Sequence, residues 1–232
     1  MTKDGVKLPI KSSRSEVDAF LERVAATPVI KPGGRLVFAL DATASRAPTW
    51  DRACHIQSQM FVETAGLGGL DIQLVYYRGF RQFRAAPWTA SSEELLRTMT
   101  AVTCLGGQTQ IAKVLRHTLE ETGRKRVDAL VFVGDCVEED IDRLCHIAGK
   151  LGMLRVPCFM FHEGDEPGAR LAFRNIAELT GGAYCRFDAG SARQLRELLA
   201  AVAVYAAGGR RALEDYGARK GGAVLRITRQ VR

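Results

Sequence analysis

The sequence predicts an α/β fold, in which a mostly parallel central sheet is covered by helices on both faces. Strand-like apolar runs alternate with amphipathic segments along most of the chain, which is typical of a layered sheet with helices. Two of the runs, residues 36–40 and 127–133, are almost entirely apolar, as expected of central strands that are buried on both faces. Each is followed closely by an aspartate, Asp41 or Asp135, so polar groups are expected at one edge of the sheet.

The composition is that of a globular protein: of 232 residues, 47% are hydrophobic and 25% are charged. A chain of this length can form one α/β domain with a sizeable core. The first fifteen residues lack the apolar segment of a secretory signal, and no later run approaches the length of a membrane span. We therefore expect a cytoplasmic protein with no membrane partner. Its predicted parts are an N-terminal extension over 1–34 with one amphipathic helix, one domain over 35–206 and a basic tail over 207–232.

The elements follow from apolar spacing and from turn residues. A first helix is predicted from Ser15 to Pro28, and a second begins near Pro48 and ends at the glycines of 66–69. Strands are predicted at 36–41, 70–77, 127–133, 156–161 and 183–187, with a short edge strand within 78–87. The inward faces of the later helices are predicted to be Leu95, Leu96 and Met99; Ile111, Val114, Leu115 and Thr118; Ile141, Leu144, Cys145, Ala148 and Leu151; Ala172, Ile176 and Leu179; and Leu195, Leu198, Leu199, Val202 and Tyr205.

A short loop after the first strand collects oxygen atoms. Asp41, Thr43 and Ser45 alternate with alanines in the segment DATAS, so nothing bulky separates a carboxylate from two hydroxyls. Ligands of open α/β sheets bind beyond the carboxyl ends of the strands. Oxygen atoms that converge in this way suit a hard cation.

The second aspartate, Asp135, is predicted to reach the same sheet edge as Asp41. Two unpaired carboxylates close together are unfavourable unless a cation lies between them. The acidic residues that follow, Glu138, Glu139 and Asp140, are expected to complement the dipole of the next helix. His162, Glu163 and Asp165 follow the fifth predicted strand at this edge, where loops are polar by default.

Thr109 lies at the start of a predicted helix, after Gly106 and Gly107. Glycines allow backbone conformations closed to other residues, so the loop can bring the Thr109 hydroxyl to a ligand. Thr109 is equally suited to be the N-cap of that helix. The stretch itself does not distinguish these two interpretations.

These residues, in this order, resemble the metal-ion-dependent adhesion site of the von Willebrand factor A (VWA) domain family. That site uses a DxSxS loop, a distant Thr and a distant Asp, and here DATAS is followed by Thr109 in GGQT and by Asp135 in GD, 68 and then 26 residues apart. The resemblance covers about residues 35–205. It implies a Rossmann-like three-layer α/β/α sandwich with one short antiparallel edge strand.

The resemblance also implies a ligand set and a function. Thr43, Ser45 and Thr109 would supply hydroxyl oxygens to a divalent cation, and Asp41 and Asp135 would hold it directly or through water. Mg²⁺ fits such a site best, with Mn²⁺ or Ca²⁺ as alternatives. The open position of the metal would bind an acidic side chain of a protein partner. Two departures are Thr43, where the family has serine, and Cys136, which stands where members often have glycine and narrows the loop.

The family is mostly not enzymatic, so we expect an interaction module, a scaffold or adaptor beside a cytoplasmic ATPase or chaperone. One alternative is a phosphohydrolase resembling haloacid dehalogenases, with Asp41, Thr109 and Asp135 recruited. That family needs a second Asp at position 43, where this chain has threonine. Dinucleotide binding is not favoured, because no glycine-rich phosphate motif follows a strand.

The charge of +7 suggests a second alternative, a nucleic-acid partner. Seven basic residues against two acidic ones follow Gly208, and Arg78, Arg81 and Arg84 interleave with Phe80 and Phe83. A solvated tail and a charged edge strand that blocks unwanted pairing are the favoured explanations, so nucleic acid is not the expected partner.

The six cysteines include no CxxC pair and are expected to be buried free thiols in a reducing compartment. A zinc site made of Cys136, Cys145 and His146 is the alternative, although its spacing matches no common pattern.

Overall fold

The protein is described by a computed structural model over residues 34–47 and 70–187. Its strands are β1 (Arg35–Asp41), β2 (Asp71–Arg78), β3 (Gln82–Ala85), β4 (Ala129–Gly134), β5 (Cys158–Glu163) and β6 (Ala183–Phe187). Its helices are α1 (Ser92–Thr100), α2 (Ile111–Arg124), α3 (Ile141–Met153) and α4 (Pro167–Thr180), and a 3-10 turn covers Ala44–Arg46. The predicted helices before residue 34, after Pro48 and over 195–205, and the basic tail, lie outside the described residues.

The strands form one sheet in the order β3-β2-β1-β4-β5-β6. All neighbours are parallel except β2 and β3, which pair antiparallel, and this confirms the predicted edge strand. Strand β1 lies between β2 and β4, and all seven of its residues are buried. With helices packed around this sheet, the predicted Rossmann-like α/β sandwich is confirmed. The carboxyl ends of β1, β2, β4 and β5 therefore meet at one edge.

Helix starts and ends have local causes. The Ser91 hydroxyl accepts a hydrogen bond from the Glu94 amide and begins α1, and Asp140 does the same for α3 through the Arg143 amide. Pro167 begins α4, and Gly181 ends it with a left-handed φ of 69°. Asp140 thus complements the dipole of α3, as predicted.

Two residues that were predicted to face the core, Leu96 and Leu179, are exposed instead. Leu96 is 36% exposed, because the short helix α1 buries only the stripe of Leu95 and Met99. Leu179 is 46% exposed, because Phe173 and Thr180 belong to the buried face of α4 and turn that face away from it.

Strand β5 extends further than predicted. His162 and Glu163 lie inside it and are buried, whereas the apolar run alone predicted that they follow the strand in a loop. Strand pairing accounts for the difference, because β4 continues to the level of His162 and β6 to the level of Glu163.

Candidate metal centre

Asp41 ends β1 and is fully buried. Its Oδ1 accepts a hydrogen bond from the Thr43 amide at 2.8 Å, and its Oδ2 accepts one from the Tyr77 hydroxyl at 2.9 Å. Burial raises the pKa of Asp41, while the hydrogen bonds from Thr43 and the charge of Arg46 oppose this rise. The carboxylate is therefore held in one orientation at the sheet edge.

The two hydroxyls of the DATAS loop are adjacent. Thr43 Oγ1 and Ser45 Oγ are 3.0 Å apart, with Thr43 buried and Ser45 exposed. The loop is fixed from one side by Leu105, whose amide donates to the Ala42 carbonyl at 3.1 Å and which forms a parallel bridge with Thr43. One hydroxyl thus faces inward and the other reaches the surface.

Asp135 follows β4 and lies beside Asp41. One ligand atom from each of Asp41, Asp135 and Cys136 is within 4.8 Å of the other two. Asp135 Oδ1 is buried, and no described residue hydrogen-bonds to it. A buried carboxylate oxygen without a partner, next to a second carboxylate, is the arrangement that a cation relieves. These residues therefore fit a divalent cation.

Thr109 is not the N-cap of α2; that position belongs to Gln110, whose side chain makes no capping hydrogen bond. Thr109 instead bonds reciprocally to Glu138: its hydroxyl accepts from the Glu138 amide and its amide donates to the Glu138 carboxylate, both at 3.0 Å. This places Thr109 against the loop that contains Asp135. Its hydroxyl bonds to the backbone of this loop and not, among the described hydrogen bonds, to Asp41, Asp135 or Cys136.

Glu138 and Glu139 were predicted to complement the dipole of α3, the helix that follows them, but their carboxylates bind elsewhere. The Glu139 carboxylate accepts from the amides of Ile111 and Ala112, and so caps the start of α2 from another loop. Burial raises the pKa of Glu139, and these hydrogen bonds oppose the rise. The sequence could not show this, because the two segments are 27 or more residues apart.

The two loop glycines also differ from expectation. Among the described glycines, positive φ angles occur only at Gly79, Gly164 and Gly181, so neither Gly106 nor Gly107 needs a left-handed backbone. Gly107 is required for space, since a Cβ there would lie 2.0 Å from the Gly79 carbonyl oxygen. The close approach seats the Thr109 loop against the turn after β2.

Three further residues form contacts at this edge: Arg46 and Tyr77, which the sequence did not indicate, and Glu163, which was expected here but in a polar loop. Arg46 is 1% exposed, and its guanidinium contacts the Glu163 carboxylate at 3.0 Å and the Asp41 carbonyl at 2.8 Å. Tyr77 is opposite Asp41 in the β1–β2 register. The sequence feature that could have indicated these contacts is a charged residue, Arg46 or Glu163, close to the end of an otherwise apolar strand.

The alternative prediction of a zinc site made of Cys136, Cys145 and His146 is wrong. Among the described residues, the cluster that could hold a metal contains Cys136 but neither Cys145 nor His146. Burial and the neighbouring carboxylates of Asp135 and Asp41 raise the pKa of the Cys136 thiol to about 12. Of the described cysteines, Cys158 and Cys185 are buried as predicted, while Cys104, Cys136 and Cys145 are partly exposed.

The Arg and Phe residues of the β2–β3 hairpin do not form a continuous stacking surface. Phe80 is 80% exposed at the turn, but Phe83 packs on the core, with its ring 5.6 Å from His117. Arg78 donates to the Thr103 carbonyl at 2.8 Å. The interpretation as an edge strand is therefore favoured over a nucleic-acid platform.

Solved structures with the same fold were found, although no family model and no curated protein matches the chain. A von Willebrand factor type A structure from Catenulispora acidiphila is 16% identical, with a TM-score of 0.59 over 74% of this chain and 43% of that one. Proximal thread matrix protein 1 from the mussel byssus, with a zinc-occupied adhesion motif, is 16% identical, with a TM-score of 0.60 over 75% of this chain and 46% of that one. The SpRpn10 VWA domain is 12% identical, with a TM-score of 0.56 over 74% of this chain and 94% of that one. Within the described ranges, none of the helices has the length and apolar character needed to cross a bilayer.

Proposed function

We propose that this chain, which has the VWA fold, is a divalent-cation-dependent protein-interaction module. Asp41 and Asp135 would hold the ion, and Thr43, Ser45 and Thr109 would supply hydroxyl oxygens. The observation that supports this most strongly is the buried, unpartnered Oδ1 of Asp135 beside the Asp41 carboxylate. When bound, the cation supplies positive charge and a coordination position that a carboxylate of a partner can fill.

The surface beside the candidate site supports an acidic partner. The hairpin turn after β2 is seated on the Thr109 loop, because the Gly79 amide donates to the Leu105 carbonyl at 3.3 Å. At this turn Phe80 is 80% exposed and Arg81 is exposed as well. An aromatic ring and a cation next to a metal suit a segment with more than one acidic residue.

The surroundings of Asp41 argue against the phosphohydrolase alternative. A nucleophilic carboxylate must reach a phosphorus atom, whereas Asp41 is fully buried and both of its oxygens accept hydrogen bonds from Thr43 and Tyr77. Position 43 also lacks the second acid that this chemistry needs. We therefore assign no catalytic role to the site.

The finer predictions from the family resemblance are part of the proposal. They are Mg²⁺ as the ion, a cytoplasmic location, and a role as scaffold or adaptor for an ATPase or chaperone. A third group, the thiol of Cys136, also lies within the site.

The test is affinity capture from a lysate with the tagged chain in divalent salt, with chelator, and with Asp41→Ala or Asp135→Asn. Asp142→Asn, on the exposed side of α3, is the matched control. We expect partners to be retained by the wild type and the control in divalent salt and lost in the other three samples. Recovery of the same partners in all samples would exclude the proposed function.

A further inference from the structure

A thiol lies within the candidate metal site. The Cys136 sulfur is within 4.8 Å of the ligand oxygens of both Asp41 and Asp135. The other described cysteines, at positions 104, 145, 158 and 185, do not join a group of this kind.

The thiol is held in this place by the loop around it. On one side, the Glu138 amide donates to Thr109 Oγ1 at 3.0 Å. On the other, His162 Nε2 lies 3.2 Å from the Asp135 carbonyl oxygen. The loop from Asp135 to Glu138 is thus bonded to Thr109, which precedes α2, and to His162 in β5, so Cys136 is held beside the carboxylates by the fold.

A second observation points to a ligand between these groups. Asp135 Oδ1 is a buried acceptor for which the described residues supply no donor. An ion bound by the Asp135 carboxylate would lie beside the Cys136 sulfur, which is within 4.8 Å of one oxygen of that carboxylate.

Sulfur changes which ion the site prefers. Mg²⁺ and Ca²⁺ bind oxygen donors almost exclusively, whereas thiolate ligands favour Zn²⁺ and other softer metals. Three protein ligands with a fourth position left open is a common arrangement for zinc that binds a further group. The two carboxylates and the thiolate supply this number of ligands before any hydroxyl oxygen is counted.

We propose that Cys136 is a direct ligand of the ion and that it makes the site select Zn²⁺-class cations over Mg²⁺. This inference rests on the proposed function, because it takes the cluster of Asp41 and Asp135 as the metal site. On binding, the S–H bond of Cys136 breaks, its proton passes to solvent, and the sulfur electron pair forms the bond to the metal. No electron is transferred.

The test is titration of the full chain with Co²⁺ under reducing conditions, because Co²⁺ substitutes for Zn²⁺ and reports thiolate coordination by near-ultraviolet charge-transfer absorption. Cys136→Ser removes the sulfur at constant size, and Cys145→Ser is the matched control. We expect the absorption band in the wild type and the control and its loss in Cys136→Ser. A band that is absent from the wild type, or that persists in Cys136→Ser, overturns the proposal.

Competition then measures the selectivity. Zn²⁺ should displace the bound Co²⁺, and Cys136→Ser should weaken Zn²⁺ binding by more than about tenfold, since loss of even an outer-shell partner often costs this much. Mg²⁺ binding should change little. Equal Zn²⁺ affinity in the wild type and Cys136→Ser, with chelator-sensitive partner capture intact, would exclude the role of sulfur while leaving the proposed function standing.

Discussion

At the scale of single residues, the two aspartates of the site differ in what satisfies them. Asp41 accepts hydrogen bonds from Thr43 and Tyr77, while Asp135 Oδ1 has no donor among the described residues. Each charge also disfavours the other, since Asp135 contributes to the raised pKa of Asp41. The metal-free site therefore contains unfavourable electrostatics that an ion or a neutral side chain would remove.

Asp135→Asn should stabilise the metal-free protein while it abolishes the response to metal. The amide removes one charge and can donate to Asp41, which we expect to contribute on the order of 1 kcal/mol. For a chain of this size the melting temperature should rise by roughly 2–4 °C. Thermal melting with chelator and with divalent salt checks both effects. A lower metal-free melting temperature together with an intact metal response would contradict this expectation.

His117 should make stability depend on pH. Burial lowers its pKa from the ordinary value of 6.5, and its Nε2 lies 2.7 Å from Gln73 Oε1. As pH falls below about 6.5, the unfolded chain binds a proton that the folded chain resists, so stability is lost toward acid. Burial also lowers the pKa of His162, which should add to the same slope.

His117→Gln should reduce the loss of stability between about pH 7.5 and 5.5 without removing it, because His162 remains. Urea unfolding at several pH values measures the slope. An unchanged slope in the variant would show that His117 does not contribute to it.

The residue types of the site could be predicted from the sequence, but their partners could not. A carboxylate after an apolar strand is visible in the sequence, as Asp41 and Asp135 show. Tyr77 and Glu163 are 36 and 117 residues from the groups they bind, and only the strand order brings them there. Cys136 appeared as a departure from a motif, whereas the structure places its sulfur with the two carboxylates.

At the scale of elements, α2 depends on a loop that follows another strand. Its first amides donate to the Glu139 carboxylate, and no capping side chain comes from its own N-cap. Since Thr109 also bonds to Glu138, the start of α2 and the Asp135 loop form one unit.

Glu139→Ala should lower the free energy of unfolding by about 0.5–2 kcal/mol, the usual effect of losing a helix cap. Glu120→Ala, on the exposed face of the same helix, should have little effect. Urea unfolding of the two variants tests this, and equal effects would show that the cap does not stabilise the fold.

Two neighbouring glycines offer a matched comparison. Gly107→Ala would place a Cβ 2.0 Å from the Gly79 carbonyl oxygen, and backbone must move to admit it. Gly106→Ala meets nothing within 4 Å among the described atoms. We expect a loss of about 1–3 kcal/mol for the first, as for other overpacked sites, and nearly none for the second. Circular dichroism melts compare them; similar melts would refute the close approach.

The helices and strands could be predicted from the sequence where the local spacing of apolar residues determines them. Apolar runs predicted β1 and β4, and the helical spacing of Ile111, Val114, Leu115 and Thr118 predicted the buried face of α2. The pattern failed where tertiary contacts decide: Leu96 and Leu179 are exposed because neighbouring positions fill the buried faces, and Glu139 caps a helix distant in sequence.

At the scale of the whole molecule, strand order gathers the site. Strand β1 lies beside β4, so Asp41 and Asp135 meet, and β2 and β5 bring Tyr77 and His162 to the same edge. An ion held by Asp41 and Asp135 would connect the ends of β1 and β4, which Tyr77 of β2 and His162 of β5 contact. A ligand that binds only the folded chain must stabilise all of them together, by about 2.7 kcal/mol at a hundred times its dissociation constant.

The central claim, a divalent-ion site built by Asp41 and Asp135, is tested most directly by equilibrium dialysis followed by elemental analysis of the protein. We predict one bound ion per chain for the wild type in Zn²⁺ or Mn²⁺, and none for Asp135→Asn, whose fold should be intact. No bound ion in the wild type, or the same ion content in both proteins, would contradict the account.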